Sequence, residues 1–139
     1  MLTGQYAHSL DAKGRVNFPV RLREELGERF IITRGLDNCL FVYSMEEWQQ
    51  LADKLSGLPI SKSAKLKRFF FSSAAEVEPD KQGRILLPGH LREYAGLVRD
   101  VTIAGVSNRA EIWDTARWEE NNAQLTSEAI AQAMDELGF

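Results

Sequence analysis

The sequence predicts an α+β fold, rich in β-strands, built from two tandem and pseudo-symmetric copies of one small unit. The segment Asp11–Arg15 (Asp-Ala-Lys-Gly-Arg) recurs 69 residues later as Asp80–Arg84 (Asp-Lys-Gln-Gly-Arg). Further residues recur at the same offset: Pro19, Leu22, Arg23, Glu24 and Gly27 match Pro88, Leu91, Arg92, Glu93 and Gly96. Self-similarity at a fixed distance is the signature of a repeated structural unit. We therefore expect a first repeat with its trailing helix over residues 4–58, a helical connector over 59–71, and a second repeat with C-terminal helices over 72–139.

Each repeat begins with a turn followed by a strand. Aspartate at the first position and glycine at the fourth are typical of a type I turn, and the glycine can take the positive φ that a bulged hairpin requires. We therefore predict a hairpin tip at each Asp-x-x-Gly segment. After the first tip, Val16 and Phe18 alternate with Arg15 and Asn17, which is the period of a strand with one buried face. The second repeat shows the same alternation over residues 84–87.

The rest of each repeat alternates helices with a second hairpin. Pro19 and Pro88 suit the first turn of a helix, and the predicted short helices over 21–26 and 90–95 stop at glycine. Hairpins follow, with strands predicted over 30–33 and 40–43 in the first repeat and over 101–103 and 110–113 in the second. Amphipathic spacing predicts the remaining helices over 45–55, 115–125 and 127–137.

Composition excludes several classes of protein. The chain has 139 residues, 44% of them hydrophobic and 27% charged, which is ordinary for a globular protein and leaves no apolar stretch long enough to span a bilayer. Residues 1–4 lack the features of a secretory signal, so we expect a cytoplasmic, nucleoid-associated protein. The single cysteine, Cys39, has no intrachain partner, and His8 and His90 are the only imidazoles. We expect no disulfide, no metal, no cofactor and no small-molecule substrate.

The charge of the chain is segregated along its length. Residues 111–139 carry seven acidic side chains and one basic side chain, a net charge of −6. Residues 1–110 carry 16 basic and 13 acidic side chains, a net charge of +3. This distribution favours a modestly basic binding face with an acidic face turned elsewhere.

The order strand, Asp-x-x-Gly-Arg turn, strand, proline, short helix and hairpin, given twice, resembles the MraZ family of bacterial transcriptional regulators over essentially the whole chain. The most specific part is Tyr6 and His8 leading into Leu10–Arg15, with Pro19 and Arg23 after it. The second copy repeats the motif at residues 80–84, followed by Pro88 and Leu91. The resemblance implies two SpoVT/AbrB-like swapped-hairpin units, double-psi-like barrels folded together as a pseudo-dimer within one chain.

The resemblance also implies a function. Similar proteins form ring-shaped homo-oligomers, such as octamers or dodecamers, that bind direct repeats in double-stranded promoter DNA. They repress the division and cell-wall gene cluster that contains their own gene. The Asp-x-x-x-Arg loops of that family face DNA, which here implies Asp11 with Arg15 and Asp80 with Arg84. Gln82 stands where the first repeat has Lys13, which predicts a weaker hold on phosphate by the second loop.

The residues themselves support the same candidates and leave alternatives open. Arginine at a hairpin tip can donate two hydrogen bonds to guanine in the major groove. The alternative is a purely structural salt bridge, in which the arginine pairs with the aspartate four residues earlier and fixes the loop. The full set predicted at the DNA interface comprises Asp11, Lys13, Arg15, Asp80, Lys81, Arg84, Arg21 and Arg23. Lys13 and Lys81 would neutralise phosphate. Arg21, Arg23 and Arg92 could equally serve solubility.

Other conspicuous residues have simpler explanations. The basic run Lys62, Lys65, Lys67 and Arg68 is typical of a solvated helix face. Trp48 and Trp118 suit a core or a subunit interface, and at least one residue of Phe69–Phe71 could lie in such an interface. His8, Ser9 and Asp11 are near in sequence but give no reason to expect a catalytic triad, so no catalytic residue is predicted. The alternative to DNA binding is an oligomeric module that uses the same loops for a protein partner.

Overall fold

The computed structural model describes the whole chain, Met1–Phe139, and contains eight strands and six α-helices. The strands are β1 (Gln5–Ser9), β2 (Arg15–Asn17), β3 (Phe30–Arg34), β4 (Leu40–Ser44), β5 (Ala75–Val77), β6 (Arg84–Leu86), β7 (Asp100–Gly105) and β8 (Ala110–Asp114). The helices are α1 (Val20–Leu26), α2 (Met45–Ser56), α3 (Ile60–Phe71), α4 (Gly89–Tyr94), α5 (Thr115–Ala123) and α6 (Ser127–Glu136). A single 3-10 turn, Leu36–Asn38, connects β3 to β4.

Both β-sheets are shared between the two halves of the chain. The larger sheet has the order β1-β7-β8-β4-β3-β5, and the smaller is an antiparallel ribbon of β2 and β6. The order of the larger sheet is unchanged when each first-half strand is exchanged with its second-half counterpart. The end strands are exchanged, because β1 pairs with β7 of the second half and β5 pairs with β3 of the first. This topology confirms the α+β class with two pseudo-symmetric units.

The predicted hairpin tips form turns, but their flanking strands do not pair with each other. In the first turn, the N–H of Gly14 donates to the carbonyl of Asp11, and the N–H of Asp11 donates to the carbonyl of Arg15. Strand β1 instead pairs with β7, and β2 pairs with β6. The predicted turns are therefore present, and the exchange of strands between the halves agrees with the swapped-hairpin units that the resemblance implies. Residue periodicity identifies the inward side chain Val16, but it carries no information on its ladder partner, which is Ile85 of the other half.

The larger sheet is covered on both faces, which gives the molecule three layers. On one face, Phe30 and Ile32 belong to a core of 18 buried residues that also takes in the inward side chains of the ribbon. On the opposite face, a smaller cluster of Cys39, Phe41, Tyr43 and Trp113 packs against side chains of α2, α3 and α5. The ribbon and the helices α2, α3 and α5 therefore lie on opposite sides of the sheet.

The helix ends differ from prediction in two respects. Pro19 and Pro88 occupy the N-cap positions of α1 and α4 and precede the first helical turn. Helix α5 ends at Ala123, two residues before the predicted end, because the chain tightens there and the hydroxyl of Thr126 accepts the N–H of Ala129 to start α6. No helix has the length and apolar character that crossing a membrane requires.

The ribbon offers a direct test of the shared core, because neighbouring residues of β6 face opposite ways. Ile85 is fully buried, whereas Leu86 is 58% exposed. We expect Ile85→Ala to lower the free energy of unfolding by about 2–5 kcal/mol through lost packing and a residual cavity. Leu86→Ala should change it by no more than about 0.5 kcal/mol. Urea unfolding of both variants measures the difference, and equal losses would contradict this packing.

Candidate nucleic-acid interface

The outer face of the ribbon brings the two predicted arginines together. Val16 and Ile85 are paired and point into the core, so the residues on either side of each point outward. In the ladder, Arg15 is paired with Leu86, and Arg84 with Asn17. The arginines therefore stand diagonally on one surface, on strands about 5 Å apart.

In the first turn (Asp11–Gly14), one carboxylate fixes both the backbone and the arginine. Oδ1 of Asp11 accepts the backbone N–H groups of Lys13 at 2.9 Å and Arg15 at 2.8 Å. Oδ2 accepts the Nε–H of Arg15 at 2.7 Å. Gly14 closes the turn with φ +81°, a conformation that residues with a side chain rarely adopt. Asp11 therefore shapes the loop and aims the guanidinium.

The second turn (Asp80–Gly83) repeats this arrangement. Oδ1 of Asp80 accepts the N–H groups of Gln82 and Arg84, each at 2.9 Å, and Oδ2 accepts the Nε–H of Arg84 at 2.9 Å. The φ of Gly83 is +80°. The same geometry in both halves shows that the Asp-x-x-Gly-Arg motif determines the loop locally.

The ion pairs leave part of each arginine free. Only Nε of Arg15 and of Arg84 is hydrogen bonded within the chain, so their terminal Nη groups remain available to donate. The backbone N–H groups of Arg15 and Arg84, followed by the bonds from their side chains, hold the pKa values of Asp11 and Asp80 below the ordinary value of 3.8. Both aspartates are therefore charged at neutral pH. The structural and the DNA-contacting roles of the arginines are compatible.

The other predicted interface residues lie in different settings. Lys13 and Lys81 are exposed on the two turns. The Nε–H of Arg23 donates to the carbonyl of Phe18 at 3.0 Å, and its guanidinium lies beside Gly83. Arg21 is exposed on α1 and borders a groove at the N-terminal segment; it makes no hydrogen bond to either turn. The structure therefore brings seven of the eight predicted residues to the turns and separates Arg21 from them.

The surroundings of the two turns are not equivalent. An open groove beside the second turn is lined by one arginine, Arg23, and by four carboxylates, those of Glu24, Glu28, Glu78 and Asp80. At the positions that match Glu78 and Pro79, the first turn is preceded by Ser9 and Leu10. The second turn therefore lies in a more negative environment, which opposes an approaching phosphate.

Sequence reasoning did not place Asn17 and Leu86 at the candidate interface, although both are exposed between the arginines. Their outward direction follows from the strand alternation, but their proximity requires the β2–β6 pairing. A catalytic reading of His8, Ser9 and Asp11 has no support from geometry. The Ser9 hydroxyl donates to Asp100, and both oxygens of Asp11 are taken by its own turn.

Comparisons with known proteins identify relatives along the full chain. A family model described as "MraZ protein, putative antitoxin-like" matches residues 1–68 and again 70–137. Curated proteins named "Transcriptional regulator MraZ" are similar over 100% of both chains. They include those of Acetivibrio thermocellus at 56% identity, Caldicellulosiruptor bescii at 55% and a Thermoanaerobacter species at 54%. These matches confirm the resemblance seen in the motifs.

The carboxylate of Asp11 predicts how the first turn responds to pH. Because the folded-state pKa of Asp11 is lowered, its hold on the turn is complete above the ordinary value of 3.8 and is lost as pH falls through the lowered pKa. An NMR titration of the Arg15 Nε–H signal should show its midpoint below 3.8. In Asp11→Asn this transition should vanish, while the Arg84 signal still titrates as an internal control. A midpoint at or above the ordinary value would contradict the geometry.

Proposed function

This chain belongs to the MraZ family, and we propose that it is a sequence-specific regulator of transcription that binds double-stranded DNA. The proposed setting is the cytoplasm, in association with the nucleoid. The proposed targets are direct repeats upstream of the division and cell-wall gene cluster, including the protein's own gene, which it would repress. Curated relatives that are similar over their whole length are named transcriptional regulators, which supports the general function.

The observation that carries the proposal is the pair of arginines on one outward ribbon face. A two-stranded ribbon has the dimensions that the major groove of DNA admits. Arginine donors can recognise O6 and N7 of guanine together, and Nη groups left free by the aspartates are suited to this contact. Lys13 and Lys81, exposed beside them, would neutralise phosphate and set the position along the duplex.

The first turn should contribute more to affinity than the second. Each turn carries one lysine, Lys13 or Lys81, so the difference lies in the acidic residues around them. Glu28 and Glu78 border the second turn, whereas the matching residues of the other half are the uncharged Leu97 and Ser9. Carboxylates near the second turn oppose the approach of a phosphate. A face with two turns of unequal strength would favour one orientation of the protein on each repeat.

Assembly into a homo-oligomeric ring is part of the proposal. Helix α6 packs against no core and exposes an apolar stripe of Ile130, Met134 and Leu137, of which Leu137 is 77% exposed. The same helix carries Glu128 and Asp135, whereas the exposed side of α3 carries Lys62, Lys65 and Arg68. Charge complementarity between different surfaces suits a head-to-tail contact, and such contacts form a ring when the rotation between neighbouring subunits closes. Several turns acting together would then engage several repeats with raised effective concentration.

One observation favours a second candidate, an oligomeric module that binds a protein partner through the same face. Leu86 is an exposed apolar side chain on the outer face of the ribbon, opposite Arg15 and two residues from Arg84. Protein interfaces commonly combine apolar contacts with charged residues around them. Salt separates the candidates, because binding to DNA weakens steeply and linearly in log salt as counterions are released.

The test of DNA recognition compares wild type, Arg15→Ala and Arg84→Ala on the upstream region that holds the repeats and on a scrambled fragment, across a salt series. Arg15→Ala should weaken binding to the repeats about 5- to 150-fold, since a good bidentate base contact contributes about 1–3 kcal/mol. Arg84→Ala should cost less. Lys54→Ala removes one positive charge from α2, on the far side of the sheet, and should retain the preference.

Two outcomes would contradict this proposal. If wild type fails to discriminate between the fragments at any salt concentration, the face does not read DNA sequence and the protein-partner candidate takes its place. If Lys54→Ala loses as much affinity as Arg15→Ala, the contribution of Arg15 is general charge and the proposed base contact is wrong.

The test of assembly places a charge on the α6 stripe. Met134→Lys should lower the mass of the assembly measured by size exclusion with light scattering, because a charge buried in an apolar contact is costly and here would also face the basic α3. Gln132→Lys introduces the same charge on the opposite side of α6 and should leave the mass unchanged. An assembly of unchanged mass in Met134→Lys would exclude α6 from the contact.

A further inference from the structure

Arg23 and Arg92 occupy matching positions on α1 and α4, and each is bonded to the end of its own ribbon strand. The Nε–H of Arg23 donates to the carbonyl of Phe18 at 3.0 Å. The Nε–H of Arg92 donates to the carbonyl of Leu87 at 3.0 Å. Both side chains are partly buried, unlike the freely exposed Arg21 on the same helix as Arg23.

Phe18 and Leu87, whose carbonyls accept these bonds, also hydrogen bond through their own N–H groups to the turn of the opposite half. The N–H of Phe18 donates to the carbonyl of Gly83 at 2.9 Å, and the N–H of Leu87 donates to the carbonyl of Gly14 at 3.0 Å. Each turn is therefore tied to a strand end of the other half, and that strand end is tied to an arginine.

The guanidinium groups of Arg92 and Arg23 also cover the turn glycines, Gly14 and Gly83. A β-carbon built on Gly14 would lie 2.7 Å from Cζ of Arg92, and one built on Gly83 would lie 2.9 Å from an Nη atom of Arg23. Arg92, Leu87 and Gly14 thus form one closed unit, the Arg92 clamp. Arg23, Phe18 and Gly83 form its counterpart, the Arg23 clamp.

We propose that Arg92 and Arg23 are positioning residues, each of which holds rigid the DNA-facing turn of the opposite half. This inference rests on the proposed function for its effect on DNA, but not for its effect on the turns. Two groups are needed at once: an N–H that donates to the strand end and a flat group that covers glycine. The guanidinium provides both, whereas the single ammonium of lysine does not.

A rigid turn matters because Arg15 must present its free Nη groups in a fixed direction. The Asp11 carboxylate aims the guanidinium within the turn, and the Arg92 clamp fixes the turn on the ribbon. Without the clamp, the turn must be ordered when DNA binds, and that ordering subtracts from affinity. The clamp also connects the two halves, so a change on α4 alters the first turn and leaves the second in place.

The first experiment is amide hydrogen exchange of the full chain without DNA. Arg92→Ala should accelerate exchange at Lys13 and Arg15, whose N–H groups bond to Asp11, and leave the second turn unchanged. Arg23→Ala should do the reverse, so each variant is the matched control of the other. Arg92→Lys should behave like Arg92→Ala. General destabilisation would accelerate both turns together, and that result, or no change in the opposite turn, would overturn the proposal.

The second experiment measures DNA affinity of the same variants across the salt series. A lost clamp should weaken binding about 2- to 10-fold, the usual cost of ordering one flexible element. The slope of log affinity against log salt should stay the same in Arg92→Lys and in Arg92→Ala. If Arg92→Ala lowers that slope by about one phosphate contact and Arg92→Lys restores it, Arg92 is a phosphate ligand and the positioning role is wrong. If the turns loosen as expected but wild type has no preference for the repeats, the proposed function fails and the clamp stands.

Discussion

The antiparallel pairing of three residues in β2 with three in β6 organises the molecule. Val16 and Ile85 are wholly or almost wholly buried only because this ladder brings them together over the larger sheet. The same ladder turns Arg15 and Arg84 to one outward surface. A two-stranded ribbon is marginal by itself in water, so its order depends on the core beneath it. Stability and the candidate interface therefore have a common origin, with alternate side chains of the same strands serving each.

Near symmetry of the backbone is combined with clear asymmetry of the side chains. Both turns use an aspartate in the same way, and both are covered by an arginine from the opposite half. The differences lie around them. Ala12 and Lys13 of the first turn match Lys81 and Gln82 of the second, and Glu28 and Glu78 beside the second turn match the uncharged Leu97 and Ser9. A duplicated scaffold of this kind retains its geometry because local motifs determine it. Charge can then vary independently in each copy.

The structural features that depend on residues close together in the chain could be predicted from the sequence. The Asp-x-x-Gly-Arg turns, the short helices after Pro19 and Pro88, and the second hairpins all follow from local spacing, and the structure contains them. The pairing of β1 with β7 could not be predicted from the residues alone, because periodicity gives the buried face of a strand and not its partner. The resemblance to a swapped-hairpin family implied an exchange between the halves but did not say which strands pair. The role of Arg92 was missed for a similar reason, since its contact with Gly14 exists only across the two halves.

The exchange of strands also constrains the order in which the chain can fold during synthesis. Gln5 pairs with Ala104, and Arg15 with Leu86, so the first half lacks its ladder partners while they are still unmade. Closing such long loops before any contact is gained slows folding relative to a chain of local hairpins. Until β7 leaves the ribosome, β1 has no ladder partner and Phe18 has no complete core around it. Incomplete chains therefore expose pairing surfaces that match those of any neighbouring copy, which makes the nascent protein vulnerable to intermolecular exchange.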